Sequence, residues 1–454
     1  MWWTIAACTH APAPPDAPLP PDPTATSTGT ATSTPGDPGP LVFSDGRVPR
    51  NLLIVSVDTT RRDRVGAWSG LPTTPFLDAR LAEGVRLDDH RTCSNWTAPS
   101  MLCATTGHDP RDLGFWPSTW DPEVADIPDD LPTLARSLAD AGFETTLVTG
   151  NPVFSRDFDT AQGFGTVILR DFAPADEIAD RAIAQVDALQ ATGAPWLLHV
   201  HFMDPHREYC PPDAYRAGLD ALPDIGFDLC TQLNAALAVR DDHDDAWQGA
   251  LLDRLHVLYD GELRYFDDTL GRLWAAADDR GALDDTLVVW MTDHGEQQLE
   301  RGVVDHGFDL FAEENRAGAG FWAKTLAPGA WSGPTLHQDL AVTLEALYGR
   351  PIPPTATGIP LGQAPADRVR SVFAYSVPDY GVPQLAVIAG DRALHYAWDG
   401  VRAFHRLDVD PAERADAYDP ADPEVVALWA ALDPEVQRVE ALWPHLPPPV
   451  DPRP

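Results

Sequence analysis

The hydrophobic positions along the chain fall into two kinds of block, which predict strands and helices in turn. Continuous apolar runs, typical of strands buried on both faces of a parallel sheet, occupy residues 52–57, 145–148, 196–202 and 286–291. Between them, apolar residues three and four positions apart predict helices at 74–83, 131–141, 176–190 and 251–277. This alternation predicts an α/β fold with a mostly parallel sheet sandwiched between helices.

The pattern changes after a further predicted helix at 340–348, where residues 351–365 become rich in proline and glycine. Short apolar runs separated by turn residues then occupy 372–375, 385–388, 393–398 and 403–407, before a last helix near 424–442. These runs predict a small antiparallel sheet. We therefore divide the chain into an α/β domain at 48–350 and a small α+β subdomain at 351–454.

The first 47 residues carry no such pattern. Residues 5–8 (IAAC) resemble the lipobox of bacterial lipoproteins, in which small residues precede a cysteine that becomes lipid-modified. Residues 9–47 are rich in proline, threonine and alanine, which is typical of an extended tether. We interpret 1–8 as the remnant of a lipoprotein signal, with Cys8 as the lipid anchor of an exported protein. A chance run of small residues before a cysteine is the alternative.

The remaining four cysteines suit an oxidising compartment. Four cysteines allow three pairings, and we favour the two local ones, Cys93–Cys103 and Cys210–Cys230. Four buried free thiols are the alternative, because spacing alone does not prove pairing.

Composition limits the classes of partner. The 454 residues include 32 Lys and Arg against 69 Asp and Glu, a formal charge of −37, and 44% are hydrophobic. The chain can therefore bury a large core, while its acidity argues against nucleic acid and against an electrostatic grip on an anionic membrane. No apolar run reaches the roughly 18 residues needed to span a bilayer. Any contact with a membrane would be through the lipid on Cys8 only.

Acidic and imidazole side chains follow three of the predicted strands. Asp58 follows the first strand, Asp204 and His206 follow the third, and Asp293 and His294 follow the last. A single Asp at a strand end is more often a cap or turn former. In an open α/β sheet, however, such ends meet in one crevice, where carboxylates and an imidazole can bind a divalent metal.

A hydroxyl stands at the start of another predicted helix, which runs from residues 97–100 (TAPS) towards Thr106 and Gly107. Pro99 suits the first turn, and Thr97 is predicted as the N-cap. Beside a metal, a hydroxyl at a helix N-terminus can become a nucleophile, because both features stabilise its alkoxide.

These segments together resemble the sulfatase family of the alkaline phosphatase superfamily, in the family's order, over about residues 50–415. NLLIVSVDTTR at 51–61 resembles its opening strand and first metal ligand, and TTPFLDARLAEGV at 73–85 resembles its next helix. TAPS at 97–100 falls where the family has its nucleophile, and HFMDPH at 201–206 resembles its substrate-site histidine segment. GALDDTLVVWMTDHGE at 281–296 and DHG at 305–307 resemble its second metal segment and the histidine after that segment. LDVDPAER at 407–414 resembles the end of its C-terminal subdomain.

The resemblance implies one divalent metal, a nucleophile and groups that contact a small anionic ester. The implied metal ligands are Asp58, Thr97, Asp293 and His294. Thr97 would also be the nucleophile, while His206 and His306 would contact the transferred group or protonate the leaving oxygen. Arg61 and Arg111 would bind substrate oxygens.

Three positions, Thr97, Met101 and His294, depart from the family pattern. Sulfatases have Cys or Ser at the position of Thr97, oxidised to formylglycine, and Arg at the position of Met101. Threonine cannot form that aldehyde, and it resembles the phosphodiesterase and phosphoglycerol-transferase branches instead. His294 stands where Ca²⁺-dependent sulfatases often have Asn. Because its ligand atom belongs to an imidazole, it favours Mn²⁺ or Zn²⁺ over Ca²⁺, with Ca²⁺ and Mg²⁺ as alternatives.

The leading hypothesis is an exported, metal-dependent hydrolase or transferase that cleaves a sulfate or phosphate ester. A non-catalytic surface lipoprotein on the same scaffold is the alternative, because anion binding is weakened by Met101 and by a basic cluster after Gly107 that is reduced to Arg111, with His108 nearby. A two-metal site using Asp204, His206 and His306 is a third interpretation. The segment at about 212–253 is an insert in the predicted α/β domain, and we expect it to lie near the mouth of the site.

Overall fold

A computed structural model describes residues 41–113, 115, 131–154, 160–374, 383–400 and 402–442. The predictions for residues 1–8, including the lipid on Cys8, and for the tether up to residue 40 therefore lie outside the described residues. The first described residues already pack against the main domain, since Leu41 is buried and Phe43 forms a β-bridge with Leu326.

An eight-stranded sheet forms the centre, as the apolar runs predict. In chain order its strands are β1 (Asn51–Val57), β2 (Val85–Leu87), β4 (Glu144–Thr149), β5 (Thr166–Leu169), β6 (Trp196–Phe202), β7 (Thr286–Thr292), β10 (Ala319–Trp322) and β11 (Gly329–Trp331). Their spatial order is β11-β2-β10-β7-β1-β6-β4-β5. Strands β7, β1, β6, β4 and β5 are parallel, and β10 is antiparallel to both its neighbours. The mostly parallel sheet is confirmed.

Four very short strands form two separate ladders beside this sheet. They are β3 (His90–Arg91) with β12 (Thr335–Leu336), and β8 (Gln297–Gln298) with β9 (Val304–Asp305).

Helices cover both faces of the sheet. The described helices are α1 (Gly66–Ser69), α2 (Pro75–Glu83), α3 (Thr97–Thr106), α4 (Leu134–Asp140), α5 (Ala175–Thr192), α6 (Leu229–Val239), α7 (Asp245–Asp279), α8 (Ala312–Asn315), α9 (His337–Leu347) and α10 (Pro423–Leu442). Helices α2, α5 and α7 pack on one face, against the side of β1 that carries Leu53, Val55 and Val57. Helices α3, α4 and α9 pack on the other, against Leu52 and Ile54. The continuous apolar run of β1 is thus explained by burial on both sides.

The predicted antiparallel sheet of the C-terminal region is also confirmed. Its strands, each antiparallel to the next, are β13 (Val369–Ala374), β14 (Gln384–Ala389), β15 (Arg392–Ala397) and β16 (Arg402–Arg406). Helix α10 packs on this sheet through Trp429 and Leu432. The same hydrophobic cluster includes Ala98 and Leu102 of α3, so this helix is held between the main domain and the subdomain.

Both favoured cysteine pairs are present as disulfides, Cys93–Cys103 and Cys210–Cys230. The first joins α3 to the segment before it. None of the described helices has the length and apolar character needed to cross a membrane.

The packing of α4 on α9 places one carboxyl group in a poor environment for charge. Glu345 on α9 is 4% exposed and accepts a hydrogen bond from the Ser137 hydroxyl at 2.8 Å. Burial raises the pKa of Glu345 to about 7, although Ser137 and Arg350 act in the opposite direction. The folded protein therefore binds a proton that the unfolded chain releases between its ordinary pKa of 4.5 and about 7.

We predict that Glu345→Gln changes the pH dependence of stability. A raised carboxyl pKa means that wild-type stability falls as the pH rises through this window, and glutamine does not titrate. The free energy of unfolding of the variant, relative to that of the wild type, should therefore increase from pH 5 to pH 8 by on the order of 1–3 kcal/mol. Denaturant unfolding at both pH values measures this, with the exposed Glu144→Gln as control. A stability difference between variant and wild type that is the same at both pH values would contradict the prediction.

Candidate active site

Two carboxylates stand side by side at the carboxyl edge of the sheet. Strands β1 and β7 are parallel neighbours with Val57 opposite Thr292, so the next residues, Asp58 and Asp293, leave the sheet together. Both are 0% exposed, as is His294. The strand-end argument from the sequence therefore predicts this juxtaposition correctly.

Helix α3 brings the hydroxyl to the carboxylates. Thr97 is the first residue of the helix, and the N-cap is Trp96, whose backbone is extended, so the prediction of Thr97 as N-cap is wrong by one residue. The Thr97 side chain lies next to the two site residues Asp58 and His294. Its Oγ1 lies 3.4 Å from Asp58 Oδ2 and 3.4 Å from His294 Nε2.

The donor atoms of this cluster fit a divalent metal. Asp58 Oδ1 and Asp293 Oδ2 are buried and have no hydrogen-bond partner. His294 Nδ1 lies 2.8 Å from the carbonyl oxygen of Gly295, an arrangement that places its hydrogen on Nδ1 and leaves the lone pair of Nε2 for the site. Nε2 is 3.4 Å from Asp293 Oδ2, and one ligand atom from each of the three residues lies within 4.8 Å of the others.

The charges of these buried groups also favour binding of a cation. Burial, then the charge of Asp58, raises the pKa of Asp293 well above its usual range. Burial lowers the pKa of His294 to about 3, so the imidazole is neutral and cannot balance the two carboxylates. Two buried carboxylates with open oxygens are costly unless a positive charge lies between them. The sequence-predicted ligands Asp58, Thr97, Asp293 and His294 thus form one group that suits a metal ion.

A polar network behind Asp58 was not anticipated from the sequence. Asn151 Nδ2 donates to Asp58 Oδ2 at 2.6 Å, and His201 Nε2 lies 3.4 Å from the same oxygen. The Ser56 hydroxyl connects His201 Nδ1 at 2.7 Å with His199 Nε2 at 2.8 Å. The signal for Asn151 is its place two residues after β4, where the strand-end rule applies to an amide as it does to a carboxylate.

The two predicted substrate histidines lie beside the metal-site group. The ring centroids of His206 and His306 are 5.3 Å apart, and those of His294 and His306 are 4.5 Å apart. His306 Nδ1 pairs with Asp305 Oδ1 at 3.0 Å. Burial lowers the pKa of His306, but the hydrogen bond and charge of Asp305 outweigh it, so the net shift is upward.

A second group of candidate ligands consists of Glu296, Asp305 and His306. Among the described residues, Asp204 and His206 belong to neither group, so the two-metal interpretation built on Asp204 receives no geometric support. Asp204 instead lies near Glu262 on α7; burial, first of all, raises the pKa of Asp204 to about 6.

The two predicted substrate arginines are engaged in ion pairs. Arg61, 3% exposed, pairs with Asp63 at 2.7 Å and with Glu300. Arg111 pairs with Asp109 at 2.5 Å and with Glu435 of α10 at 2.7 Å. Both guanidinium groups therefore hold parts of the fold together. Their assignment to substrate remains a prediction that these contacts do not support.

The side chain of Met101 lies in the hydrophobic core and not among the polar groups of the site. It is 1% exposed and belongs to the hydrophobic cluster between the sheet and helices α3, α4 and α9. The thioether therefore contributes to packing at this position.

The predicted insert contacts the segment that leads to His306. Arg207, just before the insert, pairs with Asp305 at 2.7 Å and also contacts Asn234 of α6. Arg240 donates to the carbonyl oxygen of Gly302 at 2.7 Å. These contacts are consistent with an insert beside the site.

Comparisons with known proteins agree with this geometry. A family model described as Sulfatase matches residues 50–318. The uncharacterised sulfatase YidJ of Escherichia coli strain K12 is 24% identical over 343 residues, which cover 65% of this chain and 67% of YidJ.

Solved structures resemble the chain at the level of the fold. The structure of BT4656 in complex with D-glucosamine-2-N,6-O-disulfate superimposes with a TM-score of 0.71 at 17% identity, covering 88% of this chain and 99% of that one. The phosphonate monoester hydrolase of Silicibacter pomeroyi gives 0.66 at 18% identity, covering 86% and 95%.

We predict that Mn²⁺ or Zn²⁺ stabilises the metal-stripped protein. A metal at one hundred times its dissociation constant adds about 2.7 kcal/mol to the folded state, which raises the melting temperature. Asp293→Asn should abolish the rise, since it removes one charged ligand, while Asp204→Asn serves as the matched strand-end control and should retain it. Calorimetric titration should give one metal per chain. A stoichiometry of two, or loss of binding in Asp204→Asn, would contradict the single-site assignment.

Proposed function

The chain belongs to the sulfatase family of the alkaline phosphatase superfamily, and from this premise we propose that it is a metal-dependent hydrolase or transferase that cleaves a sulfate or phosphate ester with Thr97 as the nucleophile. The observation that carries the proposal is the position of Thr97 Oγ1, 3.4 Å from both Asp58 and His294 at the N-terminus of α3. Thr97 is the first residue of the helix, and its hydroxyl lies beside the candidate metal ligands, where it can act as a nucleophile.

A threonine nucleophile favours phosphate and phosphonate esters over sulfate esters as substrates. Threonine lacks the primary hydroxyl or thiol that is converted to an aldehyde, so Thr97 would act through its own oxygen. One structural relative carries a sulfated glucosamine as its substrate, and another is a phosphonate monoester hydrolase. The fold is therefore compatible with both kinds of ester. We propose a phosphodiester or phosphonate ester as the better substrate.

A metal held by Asp58, Asp293, His294 and Thr97 would supply Lewis acidity, which lowers the pKa of the Thr97 hydroxyl and offsets charge on the transferred group. With its proton lost to solvent, Thr97 Oγ1 forms a bond to phosphorus or sulfur while the bond to the leaving oxygen breaks. The leaving oxygen takes a proton from an imidazole. The product of this step is an ester on Thr97.

The second step returns Thr97 to its starting state. A water, or the hydroxyl of an acceptor in a transferase, gives its proton to the imidazole that is now neutral and bonds to phosphorus or sulfur. The bond to Thr97 Oγ1 then breaks, and that oxygen regains a proton. We assign the imidazole role to His306 in its pair with Asp305, and substrate contact to His206, because the two rings lie 5.3 Å apart beside the metal ligands.

Surface charge restricts the size of the substrate. The chain carries a formal charge of −37, and Arg61 and Arg111 are already paired. Densely charged polyanions would be repelled, and the site would rely on the metal and on hydrogen bonds for anion recognition. A small anionic ester fits these conditions better than a sulfated polymer.

We predict that Thr97→Ala lowers turnover by at least about 10³-fold, since the covalent step is lost. The assay is a panel of aryl phosphodiester, phosphonate ester, phosphomonoester and sulfate substrates with added Mn²⁺. Thr97→Ser should keep partial activity because it retains the hydroxyl. Thr105→Ala is the matched control, since Thr105 lies on the same helix and donates to the carbonyl of Met101 at 2.7 Å.

A Thr97→Ala variant with the turnover of the wild type would rule out Thr97 as the nucleophile. A wild-type protein that binds no metal and cleaves no member of the panel would favour the alternative of a non-catalytic surface lipoprotein.

We further propose that the protein is exported and held at the bacterial cell envelope by lipid on Cys8. The two disulfides support an oxidising compartment, because such bonds persist mainly outside the cytosol. The small residues before Cys8 and the proline-rich segment after it fit an anchor and a tether.

We predict that expression in a bacterial host with labelled palmitate gives labelled protein in the membrane fraction. Cys8→Ser should lose the label and appear in the soluble exported fraction, whereas Cys210→Ser with Cys230→Ser should keep the label. Equal labelling of wild type and Cys8→Ser would disprove the anchor.

A further inference from the structure

Asn151 reaches the centre of the candidate site from a strand that carries no predicted site residue. It follows β4, which is two strands away from β1 in the sheet, and its side chain is 4% exposed. Its Nδ2 donates to Asp58 Oδ2 at 2.6 Å and to Thr97 Oγ1 at 3.3 Å. One amide nitrogen thus contacts both a metal ligand and the attacking oxygen.

The orientation of this amide is fixed by the loop in which it lies. Asn151 Oδ1 accepts a hydrogen bond from the backbone N–H of Val153 at 2.8 Å, which assigns the oxygen to the loop and the NH₂ group to the site. The backbone N–H of Asn151 donates to Thr149 Oγ1 at 3.0 Å. Both amide hydrogens are therefore directed towards the two site oxygens.

We propose that Asn151 is a positioning residue that acts through Thr97, an inference that rests on the proposed function. In the resting state the amide fixes the Thr97 oxygen next to the metal ligands. When Thr97 loses its proton, the same N–H stabilises the negative charge on Oγ1, because a hydrogen bond to an ionised acceptor is stronger than one to a neutral acceptor. Removal of one such preorganised donor lowers turnover by on the order of 10²–10³-fold in other enzymes.

A neutral donor suits this place better than a cationic one. Asp58 and Asp293 keep open oxygens for a metal ion, and a lysine or arginine next to Asp58 would compete with that ion for the same carboxylate. The amide supplies directed hydrogen bonds without adding charge. Its bond to Asp58 Oδ2 also leaves Asp58 Oδ1 as the open oxygen.

The test compares Asn151→Ala and Asn151→Asp with wild type at saturating Mn²⁺, on the best substrate of the ester panel. We expect kcat to fall by on the order of 10²-fold in Asn151→Ala with little change in KM. The ascending limb of the pH profile should move to higher pH, since the Thr97 alkoxide has lost a donor. Asn151→Asp keeps the size of the side chain and its acceptor for Val153, but it replaces the donor by a carboxylate next to Asp58, so its kcat should fall at least as far as that of Asn151→Ala.

The matched control is Asn315→Ala, another fully buried asparagine, whose amide donates to the carbonyl of Thr92 at 3.0 Å. It should lower stability without moving the pH profile. A readout independent of turnover is calorimetric binding of orthovanadate, which mimics the transferred group bonded to Thr97. Wild type with Mn²⁺ should bind it, and Asn151→Ala should bind it at least 10-fold more weakly while its affinity for Mn²⁺ changes by less than about 3-fold.

An Asn151→Ala variant with the wild-type pH profile and wild-type vanadate affinity would overturn the inference and leave the proposed function standing. A wild-type protein that neither turns over any ester nor binds vanadate would instead overturn the proposed function, and the inference with it.

Discussion

The fold at this site is organised around the mutual repulsion of two buried carboxylates. Asp58 and Asp293 leave adjacent parallel strands at the same level, each with an oxygen that has no hydrogen-bond partner. In a solvent-free position such a pair destabilises the native state unless a cation binds between them. Asn151 and His201 occupy the other oxygen of Asp58, and the backbone N–H groups of Thr59 and His294 occupy that of Asp293, so the remaining oxygens are directed to one point.

The described part of the small C-terminal subdomain contributes to the site through packing and supplies no candidate metal ligand. Helix α3 presents Thr97 at its N-terminus while Ala98 and Leu102 pack in the subdomain cluster. Ion pairs tie the same regions together: Arg111 reaches Glu435, and Arg414 reaches Glu313 at 2.7 Å. The position of Thr97, the proposed nucleophile, therefore depends on a part of the chain that is remote in sequence.

The sequence predicts the elements with long apolar runs and the side chains that directly follow them. Strand β6 is predicted with the bounds that the structure has, and Asp58 and Asp293 follow from the strand-end rule. Strands β2, β10 and β11 have three or four residues and owe their form to neighbouring strands, so their own pattern does not reveal them. The partners of Arg61 and Arg111 are likewise a property of the tertiary fold, since several acidic residues compete for each guanidinium.

The same competition decides how the site can recognise an anion. Of the two arginines expected there, Arg61 is paired with Asp63 and Glu300, and Arg111 is paired with Asp109 and Glu435. Burial keeps the imidazole of His294 uncharged. The groups that remain near Thr97 are the His306–Asp305 pair and the neutral amide of Asn151, together with any cation that the two carboxylates bind. A divalent cation would already be balanced by the two carboxylates, so the negative charge of a bound ester must be met by the His306–Asp305 pair and by directed hydrogen bonds. The charge of the buried groups, more than the shape of the fold, therefore limits how much negative charge the proposed ester substrate can bring to Thr97.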